Sequence, residues 1–134
     1  MNYSLSPFIY PALYIADSPQ KGRGVFTTEY LPAGTVIEVS PVIVFDATDR
    51  KKLEETALYN YIFEWGDDNS QCCVALGYVS LYNHHSPANC EYGMYFEDAL
   101  MKITTMLPVE KGEELTINYS TDWNEEKPVW FEAV

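Results

Sequence analysis

Apolar positions in this chain fall in short runs, each cut by glycine, proline or acidic residues. Across residues 36–45, Ile37 and Val39 alternate with Glu38 and Ser40, and beyond Pro41 the run is wholly apolar. A period of two predicts a strand with one face turned to a core. Residues 8–16 read as a first strand, rich in tyrosine and interrupted by Pro11 near a sheet edge. Residues 59–65 and 71–77 read as two more, separated by the turn Gly66-Asp67-Asp68-Asn69-Ser70. Further strands are expected at 91–96 and 99–107, joined at Glu97-Asp98, and at 113–119. The best helix candidate is 48–58, where Thr48 can cap and Leu53, Ala57 and Leu58 form a narrow apolar stripe.

One stretch echoes another. Thr27-Thr28, Leu31-Pro32, Gly34 and Ile37 recur as Thr104-Thr105, Leu107-Pro108, Gly112 and Ile117. In each, a strand ends in Leu-Pro, turns on a glycine and resumes as a strand. Duplicated hairpins would produce such an echo. Short strands, Gly and Pro turns and one small helix together argue for a mostly β domain.

The chain has 134 residues, enough for one domain with a sizeable core, and its 47% hydrophobic content is too high for a disordered chain. A net charge of −12 argues against a nucleic-acid phosphate partner. The same charge favours basic partners, although an acidic surface also serves solubility alone. Three cysteines, two adjacent at Cys72-Cys73, build neither a disulfide framework nor a C-x-x-C metal pair, so reduced thiols in an intracellular compartment and no metal are expected. Residues 1–17 lack a basic start and are broken by Pro7 and Pro11, unlike a signal peptide. There is no long apolar run of the kind that crosses a membrane as a helix.

The densest polar cluster is Asn83-His84-His85-Ser86-Pro87-Ala88-Asn89, which carries both histidines of the chain. Such residues favour turns and caps, where short polar side chains bond nearby backbone. Between two strand-like segments the cluster is expected to be held inside the fold. Its backbone groups then need partners, and a bound polar ligand is one way to satisfy them. Near the end of the chain, strand alternation puts Leu115, Ile117 and Tyr119 on one apolar face, so the Tyr119 hydroxyl needs a hydrogen-bond partner in a dry place.

Three motifs occur in order: Gly22-Arg23-Gly24, then Asn83-His84 through Pro87-Ala88-Asn89, then Gly112-Glu113-Glu114-Leu115 through Tyr119. This order resembles the SET-domain protein lysine methyltransferases, which run G-x-G, N-H-S-x-x-P-N and G-E-E-L-x-x-x-Y. The last two motifs are specific and the first is not. The resemblance extends from about Gly22 to Tyr119, and the chain is similar to minimal, free-standing SET domains of viral and bacterial type. His85, Ala88, Ser80, Ile117 and Asn118 depart from the family pattern, while Asn83, His84 and Tyr119 keep it.

The resemblance implies a knotted, β-clip-like fold of several small β-sheets with one or two short helices. It implies one SET domain over 1–134, with flanks at 1–17 and 120–134 packed on it. The aromatic tail residues Trp123, Trp130 and Phe131 would belong to the second flank. S-adenosyl-L-methionine is the implied cofactor. The Gly22-Arg23-Gly24 backbone would meet its methionine end, Asn83 its amino group and the His84 backbone its adenine. Tyr119 would be the catalytic residue of a narrow channel for the substrate lysine. Tyr61 and Trp123 are further candidates for the channel wall, and Tyr61 reads equally as an ordinary strand tyrosine. The implied partner is a basic protein or peptide, with neither nucleic acid nor membrane, and a homodimer is compatible with so small a domain. The compartment would be cytoplasmic, or nuclear in a eukaryotic or viral setting. A catalytically silent SET or β-clip module that only binds peptides is the alternative.

Overall fold

The computed structural model describes residues 6–19 and 21–119. Its spine is β4 (Val36–Phe45), the longest strand. The two halves of β4 have different neighbours. Val36 to Pro41 pair antiparallel with β9 (Leu100–Thr105), and Val42 to Phe45 pair antiparallel with β6 (Gln71–Ala75). Pro41 stands at the changeover, where a residue without an N–H does least harm to a ladder. With β5 (Ile62–Trp65), β8 (Cys90–Tyr95) and the short β1 (Phe8–Ile9), these strands form one sheet in the order β5–β6–β4–β9–β8, with β1 added beside β4. The alternation read at 36–40 ends in burial of both faces: Ile37 and Val39 are buried as expected, but Glu38 and Ser40 are buried as well, while Ile43 and Val44 beyond Pro41 are exposed.

A second sheet has the order β2–β3–β10–β7, from β2 (Leu13–Ser18), β3 (Gly22–Thr27), β10 (Glu114–Ile117) and β7 (Asn83–His84). Val25, Leu115 and Ile117 from this sheet are fully buried and join Ile37, Met101 and Ile103 of the first in one core. Each such side chain contributes about 1.5–3 kcal/mol relative to exposure. The architecture is mostly β in several small sheets, as the sequence predicts.

The echo in the sequence becomes a reciprocal contact. Leu31 and Val109 exchange backbone hydrogen bonds at 2.8 and 2.9 Å, Gly34 N donates to Thr105 O at 2.7 Å, and Gly112 N donates to Thr27 O at 2.7 Å. The two glycines share a left-handed backbone, with φ of 84° and 83°.

Several boundaries differ from expectation. The last strand stops at Ile117, so Tyr119 lies beyond it, and the strands expected at 71–77 and 99–107 are each shorter. Pro11 splits the first segment into β1 and β2, with a turn closed by Leu13 N donating to Tyr10 O at 3.0 Å. The helix α1 covers only Ala47–Leu53, and its cap is Asp46, which accepts from Asp49 N at 2.8 Å, rather than Thr48. Thr56 ends the helical region. Its hydroxyl donates to Leu53 O at 2.7 Å and accepts from Leu58 N at 3.1 Å, which starts a 3₁₀ turn at Ala57–Asn60. Tyr59 and Asn60 therefore belong to that turn, and the next strand begins at Ile62.

Candidate active site

Two segments far apart in sequence are stitched together at the site. β7 runs parallel to β10, with Asn83 opposite Thr116 and His84 opposite Ile117, and His85 N extends the ladder to Ile117 O at 3.1 Å. A two-residue strand cannot hold itself, and Asn89 supplies the rest. Its Oδ1 accepts from Thr116 N at 2.9 Å and its Nδ2 donates to Glu114 O at 2.9 Å. Asn89 is buried, so both bonds are shielded from water. The Ser86–Pro87 peptide bond between them is cis.

β3 approaches the same point from the other side of β10. A Cβ on Gly24 would lie 2.3 Å from Glu114 Oε2 and 2.9 Å from Asn83 Nδ2, so any side chain here would displace Glu114 or Asn83 from their present bonds. Asn83 Nδ2 donates to Arg23 O at 3.0 Å and to Glu114 Oε2 at 2.7 Å. Ser18 Oγ donates to the other oxygen, Glu114 Oε1, at 2.7 Å. Both amide hydrogens of Asn83 are thus committed, and its Oδ1 is the atom left to accept. Arg23 contributes its carbonyl here, Gly22 starts β3 in an exposed position, and the Lys21 ammonium donates to His84 O.

Tyr119 lies on the far side of His84. Its N–H donates to His84 Nδ1 at 2.9 Å, and the two rings stand 5.1 Å apart at 47°. Burial, then the charges of Lys21 and His85, hold the His84 imidazolium form in disfavour and pull its pKa below the ordinary 6.5. A neutral ring with its proton on Nε2 fits the bond it accepts. The Tyr119 hydroxyl donates to Tyr82 O at 2.7 Å. Burial pushes this phenol up to about 12, opposed by the His84 backbone and assisted by Tyr61 and Glu114. Beside it opens a cleft of about 240 Å³ walled by Phe63, Glu64, Tyr92, Met94, Phe96 and Tyr119.

The structure thus brings Gly24, Asn83, His84 and Tyr119 together. Tyr61 is not a strand residue: it follows the 3₁₀ turn, is 46% exposed, and is absent from the cleft wall although it acts electrostatically on Tyr119. Trp123, Trp130 and Phe131 lie outside the described residues. Sequence reasoning missed Phe63, Tyr92 and Met94. The signal for two of them was present, because a strand leaving Asn89 must turn Tyr92 and Met94 to one face. Glu114, named in the sequence only as part of the third motif, accepts from both Ser18 and Asn83.

Residues 22–120 match the SET domain family. The chain belongs to the SET-domain family. Over 127 residues it is 32% identical to the Histone-lysine N-methyltransferase, H3 lysine-37 specific, of Schizosaccharomyces pombe, a match covering 94% of this chain and 81% of that protein. A crystal structure from Plasmodium falciparum, of a protein assigned to the histone methyltransferases, superposes with a TM-score of 0.65 at 24% identity and covers 87% of this chain and 100% of that one. It shows the fold. Family and curated relative together make this SET domain a protein-lysine methyltransferase. Among the described residues no group of three or more His, Cys, Asp or Glu is arranged to hold a metal ion, and all three cysteines are free and buried. No described helix is long and apolar enough to cross a membrane.

Proposed function

We propose that this SET domain transfers a methyl group from S-adenosyl-L-methionine to the side-chain amine of a lysine in a basic protein segment. The observation that carries the proposal is the commitment of both Asn83 amide hydrogens to Arg23 O and Glu114 Oε2, one residue before the imidazole that bonds Tyr119. Asn83 Oδ1 then accepts from a ligand ammonium, beside backbone that approaches closely because residue 24 is glycine. The residues fit the cofactor. Gly22, Arg23 and Gly24 would meet its methionine end, Asn83 its amino group, and the His84 backbone its adenine. Lys21 already donates to His84 O, and a carbonyl has a second lone pair for another donor.

When bound, S-adenosyl-L-methionine supplies an electrophilic methyl group on a sulfonium. The protein must deliver a neutral amine to it in line. With an ordinary lysine pKa near 10.4, neutralisation at pH 7 costs about 4.6 kcal/mol. Phe63, Tyr92, Met94 and Phe96 give the cleft a largely aromatic and apolar side that favours the neutral amine and offsets part of that cost, while the Glu64 carboxylate in the same lining is engaged by Arg50. Tyr119 stays a phenol, because its ionisation is pushed up to about 12. By giving its proton to Tyr82 O, the hydroxyl turns acceptor lone pairs toward an amine N–H.

A net charge of −12 supports a basic substrate. Labelled methyl transfer to a panel of basic proteins and peptides tests the reading. Label should appear on lysine, and the KM for the peptide should rise with salt as screening weakens attraction. A correctly folded protein that binds the cofactor and labels no basic protein would overturn it.

A further inference from the structure

Glu38 is fully buried, yet among the described residues it pairs with no cation. A register shift between Val36 and Glu38 in the β4–β9 ladder lies beside it, an irregularity of the kind that re-aims a side chain. The carboxylate is held by donors alone. Ser40 Oγ and Tyr78 N donate to Oε2 at 2.6 and 2.7 Å, Tyr82 OH donates to Oε1 at 2.8 Å, and the Val79 backbone adds a further bond. An all-donor cage suits an ionised carboxylate, which only accepts. Apolar side chains of similar volume would fill the same space without the desolvation cost of a charge. The position of its partner supplies a reason for the acid.

Tyr82 is also fully buried and faces both ways. Its hydroxyl donates to Glu38, and its carbonyl accepts the 2.7 Å hydrogen bond from the Tyr119 hydroxyl. The next residue is Asn83. A tyrosine ring is rigid, so a fixed hydroxyl at one end limits how far the backbone at the other can move. We propose that Glu38 is a positioning residue for methyl transfer: through the Tyr82 hydroxyl it fixes the Tyr82 carbonyl, and that carbonyl aims the Tyr119 hydroxyl. The inference rests on the reading of Tyr119 as the residue that meets the substrate amine. Burial raises the Glu38 carboxyl pKa while its donors oppose the rise. The contact itself is geometric and spans 44 residues of sequence.

Tyr82→Phe removes one hydroxyl and keeps the ring, and Glu38→Gln keeps the shape and removes the charge. Two readouts apply to each folded variant, kcat and the ζ-carbon resonance of ¹³C-labelled Tyr119, with Tyr95 as an internal reference. In Tyr82→Phe, kcat should fall about tenfold, equivalent to ~1.4 kcal/mol, the scale of one buried hydrogen bond. The KM for cofactor should stay within about twofold, because the bonds holding Asn83 are intact. The Tyr119 resonance should move while that of Tyr95 does not. A folded Tyr82→Phe protein in which either kcat or the Tyr119 resonance is unchanged overturns the proposal, whereas a purely structural plug would lower only thermal stability. Should Glu38→Gln fail to fold, Tyr82→Phe decides alone. If the wild-type protein transfers no methyl group, the functional reading falls, and the resonance still tests the coupling separately.

Discussion

His84 Nδ1 accepts the backbone N–H of Tyr119 at 2.9 Å, across 35 residues of sequence, and the two rings stand 5.1 Å apart. This contact carries the β7–β10 pairing past the end of the last strand to Tyr119. It also fixes the imidazole tautomer, since an accepting Nδ1 carries no proton.

Burial of the His84 ring, with Lys21 and His85 nearby, makes stability depend on pH. The unfolded histidine takes up a proton near 6.5, and the folded imidazole does so only at lower pH. Between those values the unfolded chain binds more protons, so stability rises with pH there. The His84 contribution is complete above 6.5 and is lost as pH falls through that value toward the lowered folded one. Thermal midpoints measured from about pH 8 to about pH 5 should fall more steeply in the wild type than in His84→Gln. Parallel curves would contradict this assignment.

Tyr119→Phe should leave cofactor affinity unchanged and lower kcat by roughly 10²–10³-fold, the scale for losing one positioned hydroxyl. Stability should drop only about 1 kcal/mol, from the lost bond to Tyr82 O. Calorimetry and single-turnover labelling check the two halves. A variant with undiminished kcat would remove Tyr119 from the catalytic role.

Replacing Asn83 with Ala removes the acceptor offered to the cofactor amino group and strips Glu114 Oε2 of a donor. Cofactor binding should weaken about tenfold to hundredfold, as for a hydrogen bond to a charged group. Titration calorimetry measures it, and an unaltered Kd would refute the contact.

Gly24→Ala drives a methyl group to 2.3 Å from Glu114 Oε2 and 2.9 Å from Asn83 Nδ2. Both atoms end side chains that are themselves hydrogen-bonded, so making room for the methyl group means giving up the Asn83–Glu114 bond or the Ser18–Glu114 bond. A loss of about 1–3 kcal/mol is expected, together with weaker cofactor binding. Denaturant unfolding and calorimetry on the same preparation test both. Full stability with full affinity would show that the cradle tolerates a side chain.

Much of this protein was legible in its sequence because the relevant physics is local. Alternation at 36–40 marked the buried Ile37 and Val39, and glycine with proline marked the turns at Gly34 and Gly112. The order of the three motifs identified the family. Where local chemistry competes, the reading failed by a few residues: Asp46 displaced Thr48 as cap, and the Thr56 hydroxyl ended a helical region expected to run to Leu58.

Tertiary structure alone decided which polar groups face each other. Glu114 reads only as part of a motif until it is seen to accept from Ser18, 96 residues away, and Glu38 reads as the polar face of a strand until Tyr82 bonds it within the core. Period-two patterning assigns a residue to a face, and nothing in it says which distant strand covers that face. Burial converts the inward-facing acids from solvated charges into anchors, because a carboxylate removed from water must find donors, and only the folded chain supplies them.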